Sequence, residues 1–184
     1  NKTNVPLHWV GGTGKGPVCF GIPFAEGELK DVSLLTLSDN IPTDTWVNAR
    51  WADGSVKWAG LAAVVPQGSK DLSVVRIKQR NKPSQPWVTS TNDQIVVNTG
   101  KVIAYLPKKG SNLIDSLCTA DKRIGGSASL VASANNITYL SQLNKVEIEQ
   151  SGQVRTVVRM EGAHQSNDKS WLPFTVRLYF YRGS

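Results

Sequence analysis

Cysteine, histidine and methionine are scarce in this sequence. Among 184 residues there are two cysteines, two histidines and one methionine. Neither Cys19 nor Cys118 stands in a CxxC pair, so the sequence argues against a zinc site. The two cysteines would pair only in an exported protein, and because apolar residues flank both, we expect buried free thiols.

Long apolar runs and the signatures of several enzyme classes are also missing. No stretch approaches the roughly 18–20 consecutive apolar residues of a membrane helix, and residues 1–6 contain no signal core. The sequence has no HExxH motif, no EF-hand loop and no GxSxG elbow. In the Gly-rich residues 11–16 no Ser or Thr follows the lysine, as a phosphate loop requires, and a predicted strand comes next instead of a helix. We therefore expect no membrane span and no metal, and we assign no catalytic residue.

The composition is that of a globular protein with a basic surface. Hydrophobic residues make up 40% of the chain and charged residues 19%, and the length of 184 residues suffices for one large or two small domains. The formal net charge is +7, and a basic balance favours anionic partners. Zinc-finger spacing, an RNP1-like run and a block of Lys and Arg are absent, so nucleic acid is not expected. An acidic polysaccharide remains as a partner, with solubility alone as the alternative explanation.

Hydrophobic alternation with a period of two predicts strands almost throughout. Residues 46–51 and 55–65 alternate around the tight turn at residues 52–54, which is a strong hairpin signal. Residues 146–161 predict a second hairpin around Ser-Gly. A weak helical pattern occurs only at residues 136–143. The sequence therefore predicts an all-β protein.

A shift in composition divides the chain into two β-units. Residues 79–93 contain two prolines and many polar residues, and they indicate a linker. The predicted units are residues 1–85 and residues 86–184. The last predicted strand, residues 173–181, has an apolar face that requires a neighbour. We expect the second unit to be incomplete, or completed by the rest of the polypeptide or by a companion chain.

Cationic side chains alternate in the segment VVRIKQRNK. Because alternate residues of an extended strand share one face, the four cations form a row: Arg76, Lys78, Arg80 and Lys82. Such a row suits the carboxylates of a uronic-acid polymer. The alternative is an edge strand that uses cations to discourage pairing with another sheet.

Six tryptophans are many for this length. The C–H face of a sugar stacks on an exposed indole ring, but buried tryptophan is the commoner case in proteins. Trp46, Trp51 and Trp58 flank the first hairpin at strand positions, so we assign them mainly to the core. Trp87 in the linker and Trp171 before the last strand are the candidates for sugar contact.

One histidine and two arginines complete the candidate binding residues. His164 lies between two predicted strands, so we expect it in a loop, close in sequence to Arg159. A loop histidine there suits acid–base chemistry or the binding of an acidic sugar, and a solvated loop residue is the alternative. Arg177 belongs to the polar face of the last strand.

Several segments taken in order resemble a known family. Near the start are VPLHWVGG and PVCFGIPFAEGEL, and IPTDTWVNARWADGSVKWAGLAAVV follows them. Later come TGKVIAYLPKKGSNLIDSL, VEIEQSGQVRTVVRMEGAH and WLPFTVRLYFYRGS. This order resembles the N-terminal part of the exo-rhamnogalacturonan lyase-like proteins, the family that includes the YetA-like proteins. The most specific pieces are W-x-D-G-S-x-K-W at residues 51–58 and R-x-x-V-R-x-E-G-x-H at residues 155–164.

The resemblance implies a fold and a chemistry. It implies a small barrel of the RIFT type over residues 1–85, followed by the opening strands of an antiparallel β-sandwich over residues 86–184. Members of the lyase branch cleave rhamnogalacturonan by β-elimination at a galacturonate, which requires a cation at the carboxylate, a base and an acid. No catalytic residue of the family matches a position here. A cofactor is not assigned, and a divalent cation such as calcium is conceivable only in sequence beyond this chain.

The predicted function is a supporting role in a larger protein. We expect the non-catalytic N-terminal region of an exported multidomain lyase-like protein, located outside the cell, in the periplasm or at the cell surface. Its predicted second role is to bind acidic plant polysaccharide. The alternatives are a free-standing carbohydrate-binding module and a structural or adhesion protein that binds no sugar.

Overall fold

A computed structural model of the chain describes residues 4–11, 14–69, 71–77, 86–167 and 169–184. A single 3-10 turn, Val32–Leu34, and fifteen strands are present in these residues. The strands are β1 Asn4–Pro6, β2 Gly16–Pro23, β3 Leu35–Leu37, β4 Thr43–Arg50, β5 Val56–Val65, β6 Ser73–Arg76, β7 Val88–Ser90, β8 Gln94–Asn98, β9 Ile103–Pro107, β10 Ser116–Cys118, β11 Arg123–Gly125, β12 Val131–Ala134, β13 Ile137–Ser151, β14 Arg155–Ser166 and β15 Lys169–Tyr181.

The prediction of an all-β fold is confirmed. The weak helical pattern at residues 136–143 was a misleading signal, because residues 137–143 begin the long strand β13 and residues 137–140 pair with β12. The described part of the chain contains no helix long and apolar enough to cross a membrane.

The chain forms two compact units. The first contains Asn1–Ser84 together with Gly152–Arg155, and the second contains Gln85–Ser151 and Thr156–Ser184. In the first unit, two antiparallel three-stranded sheets have the strand orders β1-β6-β3 and β2-β5-β4. Alternate side chains of both sheets meet in one apolar core, as the period of two requires. Its buried members are Ile22, Phe24, Leu29, Leu35, Leu37, Ile41, Val56, Ala59, Leu61, Ala63, Val65, Leu72 and Val74.

The second unit has a five-stranded sheet, β11-β10-β9-β8-β7, and a four-stranded sheet, β12-β13-β14-β15. Alternate residues of both sheets again supply the core. Its buried members are Trp87, Ile95, Val97, Ala104, Leu106, Leu113, Leu143, Val158 and Met160. On β15 the residues that pack against this core are only half-buried, and β15 lies at the edge of its sheet.

The two cysteines are not bonded to each other. Cys118 is half-buried and Cys19 is exposed. The expectation of a buried thiol is wrong for Cys19, because its neighbours on β2, Val18 and Phe20, point to the core and Cys19 therefore points away from it.

A buried carboxylate organises one end of the first unit. Asp44 on β4 accepts hydrogen bonds from the backbone N–H groups of Gln153, Val154 and Arg155, at 2.9, 2.9 and 2.7 Å. A side chain at Gly152 would overlap this carboxylate. Because a buried backbone N–H group without an acceptor is costly, Asp44 fixes the path of residues 152–155 within the unit.

We predict that Asp44→Ala destabilises the first unit by about 3 kcal/mol, since it leaves three N–H groups without their acceptor. Urea-induced unfolding measures this loss. Asp44→Asn is the matched control: it keeps one carbonyl oxygen and should lose less. An unfolding midpoint for Asp44→Ala equal to that of the wild type would contradict this role.

Candidate functional site

On the outer face of the β2-β5-β4 sheet, two neighbouring strands carry glycines at paired positions, so no side chains stand there. Gly21 on β2 pairs with Gly60 on β5, and Gly60 pairs with Trp46 on β4. A Cβ atom at Gly60 would overlap the Trp46 indole, so this ring lies across the glycine. The residues before and after Gly60, Ala59 and Leu61, belong to the core, so the ring lies on the opposite face.

A second ring reaches the same glycine pair. A Cβ atom at Gly21 would overlap the Nε1 edge of Trp58, so this indole also packs onto a glycine. Trp58 keeps 42% of its surface exposed. The assignment of Trp58 to the core is therefore wrong. The periodicity of β5 is interrupted next to it, because the register of the β4–β5 pair shifts between Ala49 and Arg50.

The adjoining hairpin end adds a cation. The Lys57 ammonium lies 4.3 Å from the centre of the Trp51 ring, whose Nε1 donates to the carbonyl of Phe24 at 2.9 Å. The turn is held by Asp53, which accepts from the backbone N–H of Ser55 at 2.8 Å. The side-chain hydroxyl of Ser55 also donates to this carboxylate and is the main reason that the pKa of Asp53 is lowered. Lys57 therefore lies in β5, directly after a turn that these hydrogen bonds fix.

Trp46 is covered on both sides. Its lower face rests on Gly60, and the Arg155 guanidinium, within the same unit, lies 4.1 Å from the ring centre. The Trp46 Nε1 donates to Asn48 at 2.7 Å. Trp46 is therefore a structural support, and Trp58 is the ring that offers a face to a ligand. We call the surface formed by Trp46 and Trp58 over the two glycines the tryptophan face.

Of the four residues of the predicted cationic row, the structure describes Arg76. Lys78, Arg80 and Lys82 lie outside the described residues. Arg76 lies in β6, which is the central strand of the β1-β6-β3 sheet, and its Nη2 donates to the Glu28 carbonyl at 2.9 Å. The alternative of an edge strand is therefore wrong for Arg76, because β6 has a partner on each side.

The two tryptophans predicted to contact sugar differ in exposure. Trp87 is 8% exposed and belongs to the core of the second unit, so it presents no free ring face. The polar linker composition was misleading there, because the strand β7 begins directly after Trp87. Trp171 is 43% exposed and packs against Tyr139, with ring centres 5.4 Å apart.

The predicted binding arginines are engaged with carboxylates. Arg177 donates from Nε and Nη2 to both oxygens of Glu149, at 2.7 and 2.8 Å. Arg159 forms ion pairs with Glu147 and Glu161. Lys145 is paired with Glu147 at 2.7 Å. This ladder of alternating charges across β13, β14 and β15 is close to neutral, so its arginines do not present free cations to a ligand.

His164 lies in a strand rather than the expected loop. It belongs to β14, pairs with Ser141 on β13 and is 9% exposed. Its Nδ1 is 2.9 Å from the Leu172 carbonyl, so Nδ1 carries the donated proton, and its ring packs edge-on against Phe174. The prediction of a loop was wrong because β14 continues to Ser166 and β15 begins at Lys169. His164 therefore has a structural role.

Among the described residues, the predicted arginine and histidine side chains do not form a free cationic site. The structure does assemble a tryptophan face from residues that the sequence assigned mainly to the core. In the described residues, no group of three His, Cys, Asp or Glu side chains is placed to hold a metal ion. The signal for the tryptophan face was the pair Gly21 and Gly60, which becomes readable only when the strand register is known.

Two family models match the chain in sequence order. The model of the PcRGLX-like N-terminal RIFT barrel domain matches residues 3–78, and that of the PcRGLX-like central β-sandwich domain matches residues 86–184. The chain belongs to the PcRGLX-like family. The expected barrel and sandwich are thereby confirmed, and so is the resemblance to the family that includes the YetA-like proteins.

A curated relative extends the family assignment. The PcRGLX-like chain is 32% identical over 198 residues to the uncharacterized protein YetA of Bacillus subtilis (strain 168). The match covers 96% of this chain but 23% of YetA, so the chain spans about a quarter of that relative's length.

The Glu149–Arg177 pair makes stability depend on acid pH. The hydrogen bonds from Arg177 are the main cause of the lowered pKa of Glu149 in the folded state. Because the pKa of Glu149 is lowered in the folded state, its ionised carboxylate stabilises the fold at pH values above the ordinary pKa, near 4.5. This stabilisation is lost as the pH falls through the folded-state pKa. We predict that Glu149→Gln loses less stability than the wild type between about pH 5 and pH 3, as measured by thermal unfolding. Equal losses in both proteins would contradict the pairing.

Proposed function

We propose that this chain is the non-catalytic N-terminal region of an exported, multidomain, polysaccharide lyase-like protein that acts on rhamnogalacturonan, the acidic backbone of pectin. In this role it supports the catalytic part of the protein and binds the glycan on the tryptophan face. The match of both domain models in order, and the much greater length of YetA, support a place in a larger protein. Export follows from the substrate, since a plant polymer is met outside the cell.

The observation that carries the glycan-binding role is the exposed ring of Trp58, which is held against the sheet by a glycine of the neighbouring strand. An indole face is apolar and electron-rich, so it attracts the C–H bonds on one face of a sugar ring. The glycine beneath the edge of Trp58 fixes the ring against the sheet, which reduces the entropy lost on binding. Lys57 precedes Trp58 in the sequence, and its ammonium, which lies over the Trp51 ring, is the proposed positive charge for a uronate.

The ion pairs on β13, β14 and β15 bear on where the elimination chemistry takes place. Arg159 and Arg177 are two of the residues predicted from the sequence to bind an acidic sugar, and both are bound to glutamates of the same sheet. Pairing with fixed carboxylates lowers the affinity of a cation for a further anion. We therefore place the elimination chemistry in another part of the full protein.

We predict that Trp58→Ala weakens binding of rhamnogalacturonan oligosaccharides about tenfold or more, because it removes the stacking face. Isothermal titration calorimetry measures the dissociation constant. Gly21→Ala should also weaken binding while every tryptophan is retained, because its Cβ displaces the Trp58 indole.

The matched control is Trp9→Ala, which removes a ring of the same unit that is 45% exposed, and it should leave the affinity unchanged. Circular dichroism confirms that each variant is folded. If Trp58→Ala binds as tightly as the wild type, the tryptophan face is not the glycan site. If the wild type binds neither rhamnogalacturonan nor neutral galactan, the role of the chain is scaffolding alone.

A further inference from the structure

One arginine in the described residues differs from all the others. Each of the other described arginines donates at least one hydrogen bond. The donors and their acceptors are Arg50 to Gly54, Arg76 to Glu28, Arg123 to Gly125 and Asp115, Arg155 to Cys19, Arg159 to Glu147 and Glu161, and Arg177 to Glu149. Within the part of the chain that the structure describes, Arg182 has no hydrogen-bond or ion-pair partner. Its side chain is nevertheless half-buried. A partly desolvated guanidinium without an anion is costly to keep, and it marks a place where an anion is favoured.

Arg182 lies at a groove of about 480 Å³ in the second unit. The floor is the outer face of the five-stranded sheet, where Thr89 pairs with Val96 and Val96 pairs with Tyr105. Asn98 and Ile103 form the next pair on this face. Arg182 is the one charged residue among the described lining residues, so no carboxylate competes for its guanidinium there.

The polar groups of the groove suit a hydroxylated ligand. The Asn98 Oδ1 accepts from the N–H of Gly100 at 2.9 Å, which orients the amide and leaves its NH₂ group to donate. The hydroxyls of Tyr105 and Thr89 make no hydrogen bond within the described residues. In contrast, the Thr99 hydroxyl is occupied, since it donates to the Ser184 carbonyl and accepts from the N–H of Val102.

The apolar parts of the groove complete its chemistry. Val96 and Ile103 form its apolar floor, and Tyr105 and the largely buried Trp87 also line it. A volume of about 480 Å³ falls within the range of small-ligand sites and exceeds the volume of one sugar ring. A cation, free donors and apolar ring faces together match a sugar that carries a carboxylate.

We propose that this groove binds a hexuronate residue, whose carboxylate pairs with Arg182 and whose hydroxyls are bound by Asn98 and Tyr105. The fork of a guanidinium matches a carboxylate in two parallel hydrogen bonds, which gives specificity for the acid over its ester. The site lies in the second unit and is independent of the tryptophan face, so either site can exist without the other.

The experiment is a two-dimensional NMR titration of the chain with a galacturonate trimer and, separately, with its methyl ester. We predict that the backbone amides of Asn98 and Tyr105 shift with the acid, and that the ester binds at least about tenfold more weakly. Arg182→Ala should lower the affinity for the acid by about tenfold or more, and Arg182→Lys by less, because lysine keeps the charge but not the fork.

The matched control is Arg123→Ala, an exposed arginine of the same unit, which should leave the affinity unchanged. The Trp58 indole N–H, followed in the same spectra, separates the two proposals. Shifts at Trp58 without shifts at Asn98 and Tyr105 would overturn the groove site and leave the tryptophan face standing. Equal affinity for acid and ester, or an unchanged affinity in Arg182→Ala, would also overturn it.

Discussion

The outer face of the β2-β5-β4 sheet carries indole rings because the paired glycines beneath them have no side chains. A residue larger than glycine at position 21 or 60 would occupy the space of Trp58 or Trp46. The residues on either side of both glycines point into the core. One face of the sheet is therefore packed in the core, and its other face carries the indole rings. The conformation of the tryptophan face, and the exposure of Trp58 with it, depends on these glycines.

The cations that the structure describes differ in the groups that they contact. The ladder on β13, β14 and β15 satisfies Arg159 and Arg177 with glutamates, and it serves the sheet in the manner of cross-strand ion pairs. Arg155 is used to cover Trp46. Lys57 lies over the Trp51 ring, and Arg182 has no hydrogen-bond or ion-pair partner in the described residues. The net charge of +7 therefore indicates little about binding until the partners of each cation are known.

Local signals predicted the fold better than the site. The hairpin of β4 and β5 was readable because its turn residues and its alternation are local in sequence. Burial and pairing are not local: Trp87 is buried although polar linker sequence precedes it, and Arg76 lies in a central strand although cations alternate around it. The face of Trp58 was missed for the same reason, because the glycine that accommodates it is on another strand.

The central claim is that a glycan stacks on Trp58, and the indole N–H resonances of the six tryptophans test it most directly. In a titration with a rhamnogalacturonan oligosaccharide, ring stacking at Trp58 should shift its indole N–H resonance strongly. The resonances of Trp9 and Trp171, which are as exposed but lie elsewhere, should stay in place. Shifts confined to Trp9 or Trp171, or no shift at saturating oligosaccharide, would contradict the account.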